Sequence, residues 1–218
     1  MTVLQRYIPL CVAALPLTAL AAPGNLDDWQ NQRSDPASTW TMRQLLGDDV
    51  IAGEKTEVGE VADVLLDAEG RVESLLVYSN GNEVDRGFRT VEWPVLRFEP
   101  SDVLLSIAQQ PSEFGDQPVA SSPQELIGED QYSALSMLGM GVEVEGAAYA
   151  EVEDLVVNEQ NQVTSAIVDP DGMDTDSYWI PTDLGWIDPE WIMIVPYSQS
   201  DIEQAGAYQG DDGGEGSN

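Results

Sequence analysis

What most constrains the fold of this chain is that it writes one pattern twice. EVGEVADVLLDAEGRVESLLV at residues 57–77 returns in altered form as YAEVEDLVVNEQNQVTSAIV at residues 149–168. In the first copy Val58, Val61, Val64 and Leu66 run into Asp67-Ala68-Glu69-Gly70, and Val72 through Tyr78 follow. β-branched and apolar runs of this length around a short Gly-containing segment predict a hairpin, because Gly takes the positive φ that closes the loop. In the second copy Val152, Leu155 and Val157 lead to Asn158-Glu159-Gln160-Asn161, and Val163 to Val168 return. Asn161 stands where Gly70 stood, and Asn is the next best residue at such a position. Asp63 and Asp154 fall at equivalent places, 91 positions apart, and read as solvated or turn-capping carboxylates.

The flanks repeat as well. Thr41 and Gln44 form a capping box ahead of Leu45, Leu46 and Gly47, which predicts one short helical turn. Ser122, Pro123, Glu125 and Gly128 offer a similar signal 81 positions on, so the repeat gains ten residues before the second hairpin. An enlarged loop over 133–147 is expected to hold them. Strands are predicted before Pro94 and Pro181, and the runs VLLSI (103–107) and WIMIV (191–195) read as short buried strands. Each unit is then a helical turn plus five or six strands in roughly seventy residues, a density at which antiparallel strands close into a small barrel.

A capped helical turn, then VGEVADVLLDAEGRVESLLV, then an apolar strand ending at proline is similar to the PRC-barrel family, shared by the reaction-centre H subunit and a ribosome maturation factor. The resemblance covers about 41–108, and more distantly 122–198. It implies a mainly β chain of two tandem small PRC-like β-barrels, each with a short capped helical turn, the second divergent. It also implies a docking module with no common catalytic apparatus. Trp93 precedes Pro94, and Ile180-Pro181-Thr182 has no aromatic after the proline, both departures from the family's usual aromatic after it. The expected division is a signal peptide at 1–21, a linker at 22–40, barrel 1 at 41–108, a linker at 109–121, barrel 2 at 122–200 and a disordered acidic tail at 201–218.

The leader reading rests on Arg6, the apolar run YIPLCVAALPLTAL and small residues Ala19 and Ala21 spaced for cleavage. It predicts a periplasmic or secreted protein with no stable membrane span once the signal is removed. Cys11 leaves with the leader, so no disulfide is expected. Charge then narrows the partners. The sequence holds 40 acidic against 8 basic residues, and Arg97 is the last basic one. A phosphate backbone is bound by positive charge, so nucleic acid is excluded as a partner. Such an acidic chain repels itself unless counter-ions screen it, which points to a saline cell envelope.

With no histidine, no thiol once Cys11 has left with the leader, and a single lysine, Lys55, the commonest general base, nucleophiles and metal ligands are missing. No catalytic function and no cofactor are expected. The alternative to a docking protein is a divalent-cation-responsive one, in which Asp169, Asp171, Asp174 and Asp176 of DPDGMDTD turn oxygens toward Ca²⁺. The Gly of that run falls at its fourth place rather than the sixth that an EF-hand loop requires, and an acidic turn between strands explains it equally. For a protein partner, the candidates are Trp179 and Trp186 among the closing tryptophans, and the thioethers of Met137 and Met140, whose flexibility suits adaptable contacts. Most of the four tryptophans around the closing strands, Trp93, Trp179, Trp186 and Trp191, read as core, and an exposed subset would mark the partner surface.

Overall fold

The computed structural model describes residues 39–53, 56–81, 85–93, 96–99, 104–170, 177–182, 187–188 and 191–205. The first unit opens with β1 (Trp40–Thr41) and α1 (Met42–Leu45). It continues through β2 (Asp49–Ala52), β3 (Thr56–Leu66), β4 (Val72–Ser79), β5 (Gly87–Glu92), β6 (Leu96–Glu99) and β7 (Leu104–Ile107), and ends in α2 (Pro111–Gly115). The second opens with β8 (Tyr132–Ser133) and α3 (Ala134–Met137). Then come β9 (Gly141–Val144), β10 (Ala147–Val157), β11 (Val163–Asp169), β12 (Tyr178–Pro181) and β13 (Ile192–Val195), and α4 (Gln199–Ala205) closes it. The chain is mainly β, as its alternating apolar runs require.

The strands form two sheets, ordered β5-β4-β3-β2-β7-β6 and β12-β11-β10-β9-β13. They are built alike down to their irregularities. In β3 and β4, Val61 faces Val77, Asp63 faces Leu76 and Leu66 faces Val72, with bulges between Val61 and Asp63 and between Leu65 and Leu66. In β10 and β11, Val152 faces Val168, Asp154 faces Ile167 and Val157 faces Val163, with bulges at the same two places. A bulge bends a strand and raises its twist, so identical bulges give the two sheets the same curl. β7 runs parallel to β2, and β13 runs parallel to β9 in the same way.

Each unit is completed by the other. β1 does not pair within the first unit; Trp40 and Thr41 face Val157 and Val156 of β10. In return, Tyr132 and Ser133 of β8 face Leu66 and Leu65 of β3. α1 packs on β10 and α3 on β3. The two hairpin tips also meet: Val72 N–H donates to Asn161 O and Val163 N–H to Gly70 O, both at 2.8 Å. Burying Met42, Leu45 and Met137 in these docked arms is worth about 1.5–3 kcal/mol each by area. The consequence is one continuous apolar core running from Trp40 to Ala205. Two separately sealed interiors, which a tandem of barrels predicts, are not what forms.

The exchange relocates the second arm. Gly47 (φ 86°) and Gly139 (φ 81°) are equivalent, each donating its N–H to the long strand, at Val61 O and Val152 O. The repeat is therefore offset by 92 at the arm and 91 at the hairpin, with no ten-residue insertion. Ser122 heads only a single 3-10 turn, Pro123–Glu125, that lies between the units. The segment 133–147, expected as a loop, holds α3, β9 and the turn into β10.

The expected linker 109–121 is structured too. Gln110 N–H donates to the Glu113 carboxylate (3.0 Å) at the start of α2, and Phe114 is fully buried. The buried guanidinium of Arg89 donates to Ser79 Oγ (2.9 Å) and Asp85 O (2.8 Å) and lies over the Phe114 ring. Ala120 exchanges backbone hydrogen bonds with Phe88 on the edge of β5. Gly87 must be glycine there, since a Cβ would meet the backbone oxygen of Ala120 at 2.9 Å and also Val119 Cγ1. The first residues of the expected tail are helical as well: α4 spans Gln199–Ala205 and buries Ile202 and Ala205.

Candidate interaction surface

The arms are held by two buried carboxylates. Asp63 accepts from Ser133 Oγ and from the backbone N–H groups of Leu135 (2.9 Å) and Val64 (2.7 Å). Asp154 accepts from the N–H groups of Arg43 (3.1 Å) and Leu155 (2.8 Å). Each thus satisfies an orphan donor in the first turn of the helix contributed by the opposite unit. Burial pushes both carboxyls above the usual aspartate range, and the donors that face them pull back only part of the way. Their equivalence in the sequence was visible. Their role was not, because their partners lie 70 and 111 residues away. The solvated reading does not fit these buried groups; the capping reading does, on the helix of the opposite unit.

The candidate partner residues divide. Met137 and Met140 are buried in the joined core, so no flexible thioether surface exists at the second arm. The physical reason is the arm itself, since α3 docks on β3 and turns Ala134 and Met137 inward. Trp179 is also buried, opposite Ile167 on β11, in a small cluster with Val156 on the other face of the sheet. Trp186 lies outside the described residues. So do Asp171, Asp174 and Asp176; Asp169 ends β11 opposite Glu151. Among the described residues, no group of three or more acidic, histidine or cysteine side chains comes together as a metal site.

The exposed large apolar residues lie elsewhere. Trp191 is 47% exposed, Ile194 48% and Leu135 51%. Tyr132 meets Trp191 edge-on at 6.2 Å between ring centroids, so residues from the second arm and from the start of β13 share this surface. Met193 and Val195 point to the core, which by strand alternation turns Ile192 and Ile194 outward. Reading WIMIV as a wholly buried strand therefore missed one face of it.

Trp191 also has an unusual backbone, with φ 61°. Its hairpin repeats the geometry of the two long ones. In the first, Asp67 N–H donates to Arg71 O, Gly70 N–H to Asp67 O, and Arg71 N–H to Asp67 Oδ1. Asn158, Asn161 and Gln162 make the same three bonds, and so do Asp188, Trp191 and Ile192. The left-handed place is filled by Gly70, by Asn161 and by Trp191. Gly and Asn suit that conformation; a bulky side chain there is an outlier. The spacing Asp188 to Trp191-Ile192, matching Asp67 to Gly70-Arg71, was the signal in the sequence that could have shown it.

Residues 41–107 match the PRC-barrel domain, a general protein–protein module. A search of curated proteins finds no match to the chain. No helix among the described residues is long and apolar enough to cross a membrane.

Proposed function

We propose that this is an exported, non-enzymatic docking protein of the saline cell envelope, built from two PRC-barrel units of which the second, 132–205, is a divergent copy. The observation that carries the reading is the strand-for-strand and bulge-for-bulge likeness of β10–β11 to β3–β4, taken with the domain match over 41–107. Shared bulges support common descent, because they are kept as features of a family rather than arising at random. Export is supported by the leader pattern of residues 1–21, and salt adaptation by the excess of carboxylates. A docking role is supported by exposed apolar side chains on an otherwise acidic surface.

The test is cell fractionation followed by crosslinking in intact envelopes at the host's own salt concentration. A mature chain in the envelope, crosslinked stoichiometrically to one protein, is the expected result. A cytosolic, uncrosslinked chain would refute both parts. Thermal unfolding at fixed ionic strength, with and without millimolar CaCl₂, separates salt adaptation from a specific cation response; equal curves are expected.

A further inference from the structure

We propose that the face formed by Tyr132, Trp191 and Ile194 docks a basic protein segment, one that presents arginine or lysine together with apolar side chains. The inference rests on the docking reading above and assigns it a surface and a partner chemistry.

The backbone supplies the first argument. Three hairpins share one hydrogen-bonding form, and at the left-handed position two of them use Gly70 and Asn161. A tryptophan there works against the turn, and strain of this kind is kept where a side chain is needed for something else. What the ring does is visible: it stands out of the surface beside Tyr132, next to the outward face of β13. In the first arm the counterpart of Tyr132, Trp40, instead stacks on Trp93 at 5.4 Å, and both are buried.

Charge supplies the second. Around these apolar groups stand carboxylates: Glu143 is the register partner of Ile194, Asp188 opens the Trp191 hairpin, and the exposed Glu129 and Asp130 lead into β8. No lysine or arginine occurs after Arg97 to neutralise them. An acidic rim around aromatic rings favours a cationic ligand, by field complementarity and by cation–π contact with the Trp191 face. A second copy of this chain, with its net charge of −32, would be repelled.

Three labelled peptides of equal length test the proposal on the full mature chain: repeats of Arg-Leu-Ser, of Arg-Ser-Ser and of Glu-Leu-Ser. The Arg-Leu-Ser peptide is expected to bind and to change tryptophan emission, while the other two bind far more weakly. Trp191→Gly is expected to weaken that binding on the order of tenfold, with a melting temperature unchanged or raised, since glycine relieves the turn. Ile194→Ser is expected to weaken it less. Equal binding of Arg-Ser-Ser, full binding by Trp191→Gly, or a lowered melting temperature in that variant would overturn the proposal. If Trp191→Gly keeps the envelope crosslink while losing nothing to the peptide, this face is excluded and the docking reading survives; if the wild type shows no crosslink either, the docking reading itself has failed.

Discussion

The two arms are the same device with opposite outer surfaces. In the first, the leading aromatic, Trp40, is stacked on Trp93 inside the core; in the second, Tyr132 touches an exposed Trp191. Arg43, whose guanidinium donates to Glu153 O (2.8 Å), is matched in the second arm by the exposed Leu135. Yet both residues give their backbone N–H to an aspartate of the opposite unit. Arm docking is carried by backbone pairing, buried apolar residues and one carboxylate per arm. The outward side chains are therefore free to differ, and the two units do differ there.

The largest effects probe whether the exchange is reciprocal. Leu45 and Met137 occupy the same place in α1 and α3 and are fully buried. Leu45→Ala and Met137→Ala are each expected to lower stability by about 2–5 kcal/mol in urea unfolding. Native-state hydrogen exchange tells where the loss falls. Leu45→Ala is expected to expose amides of β10 and Met137→Ala those of β3, each in the unit that did not change. Losses confined to the mutated unit would break the account of crossed arms.

The carboxylates come next. Asp63→Ala strands the Ser133 hydroxyl and the Leu135 N–H, and Asp154→Ala strands the Arg43 N–H, so each is expected to cost about 1–3 kcal/mol. Similar losses fit equal arms, and a silent change at either site would show that its arm docks without the carboxylate. The pH dependence has a definite sign. Both carboxyls titrate above the ordinary value of 3.8 in the folded chain, so the folded state binds more protons than the unfolded one. Their contribution is full below 3.8 and is lost as pH rises through the raised folded values. Asp63→Asn and Asp154→Asn remove that dependence, and against them the wild type is expected to gain stability as pH falls. Calorimetry across the acid range reads it, and a gain on raising pH would reverse the assignment.

How much of this was legible follows from distance along the chain. The hairpins at 57–77 and 149–168 were readable, turn residues included, because period and turn chemistry are local; Asn161 does occupy the left-handed place of Gly70. The arms were not. α3 has Ser136 at its third position rather than Glu or Gln, so its start shows no box pattern, whereas Ser122 to Glu125 shows one in the sequence and forms only an isolated turn. A local motif cannot report that the strand it belongs to pairs with β3, some seventy residues earlier. The same blindness hid the surface. Met137 and Met140 looked adaptable in a loop, and only the docking of α3 buries them.

The smallest expected effects sharpen the comparison at the hairpin tips. Gly70 and Asn161 have φ values of 77° and 59°, and their carbonyls accept across the two units, from Val163 N–H and Val72 N–H. Gly70→Ala places a Cβ in the left-handed region and is expected to cost about 1–2 kcal/mol. Gly70→Asn keeps a residue that visits this region and is expected to cost less. Asn161→Gly removes a milder penalty while giving the unfolded chain more freedom, so the two effects oppose and the net change is expected within about 0.5 kcal/mol. Urea midpoints of the three variants give the order. If Asn161→Gly destabilised as much as Gly70→Ala, side-chain contacts of Asn161 would be holding the tips together, and the two hairpins would not be equivalent there after all.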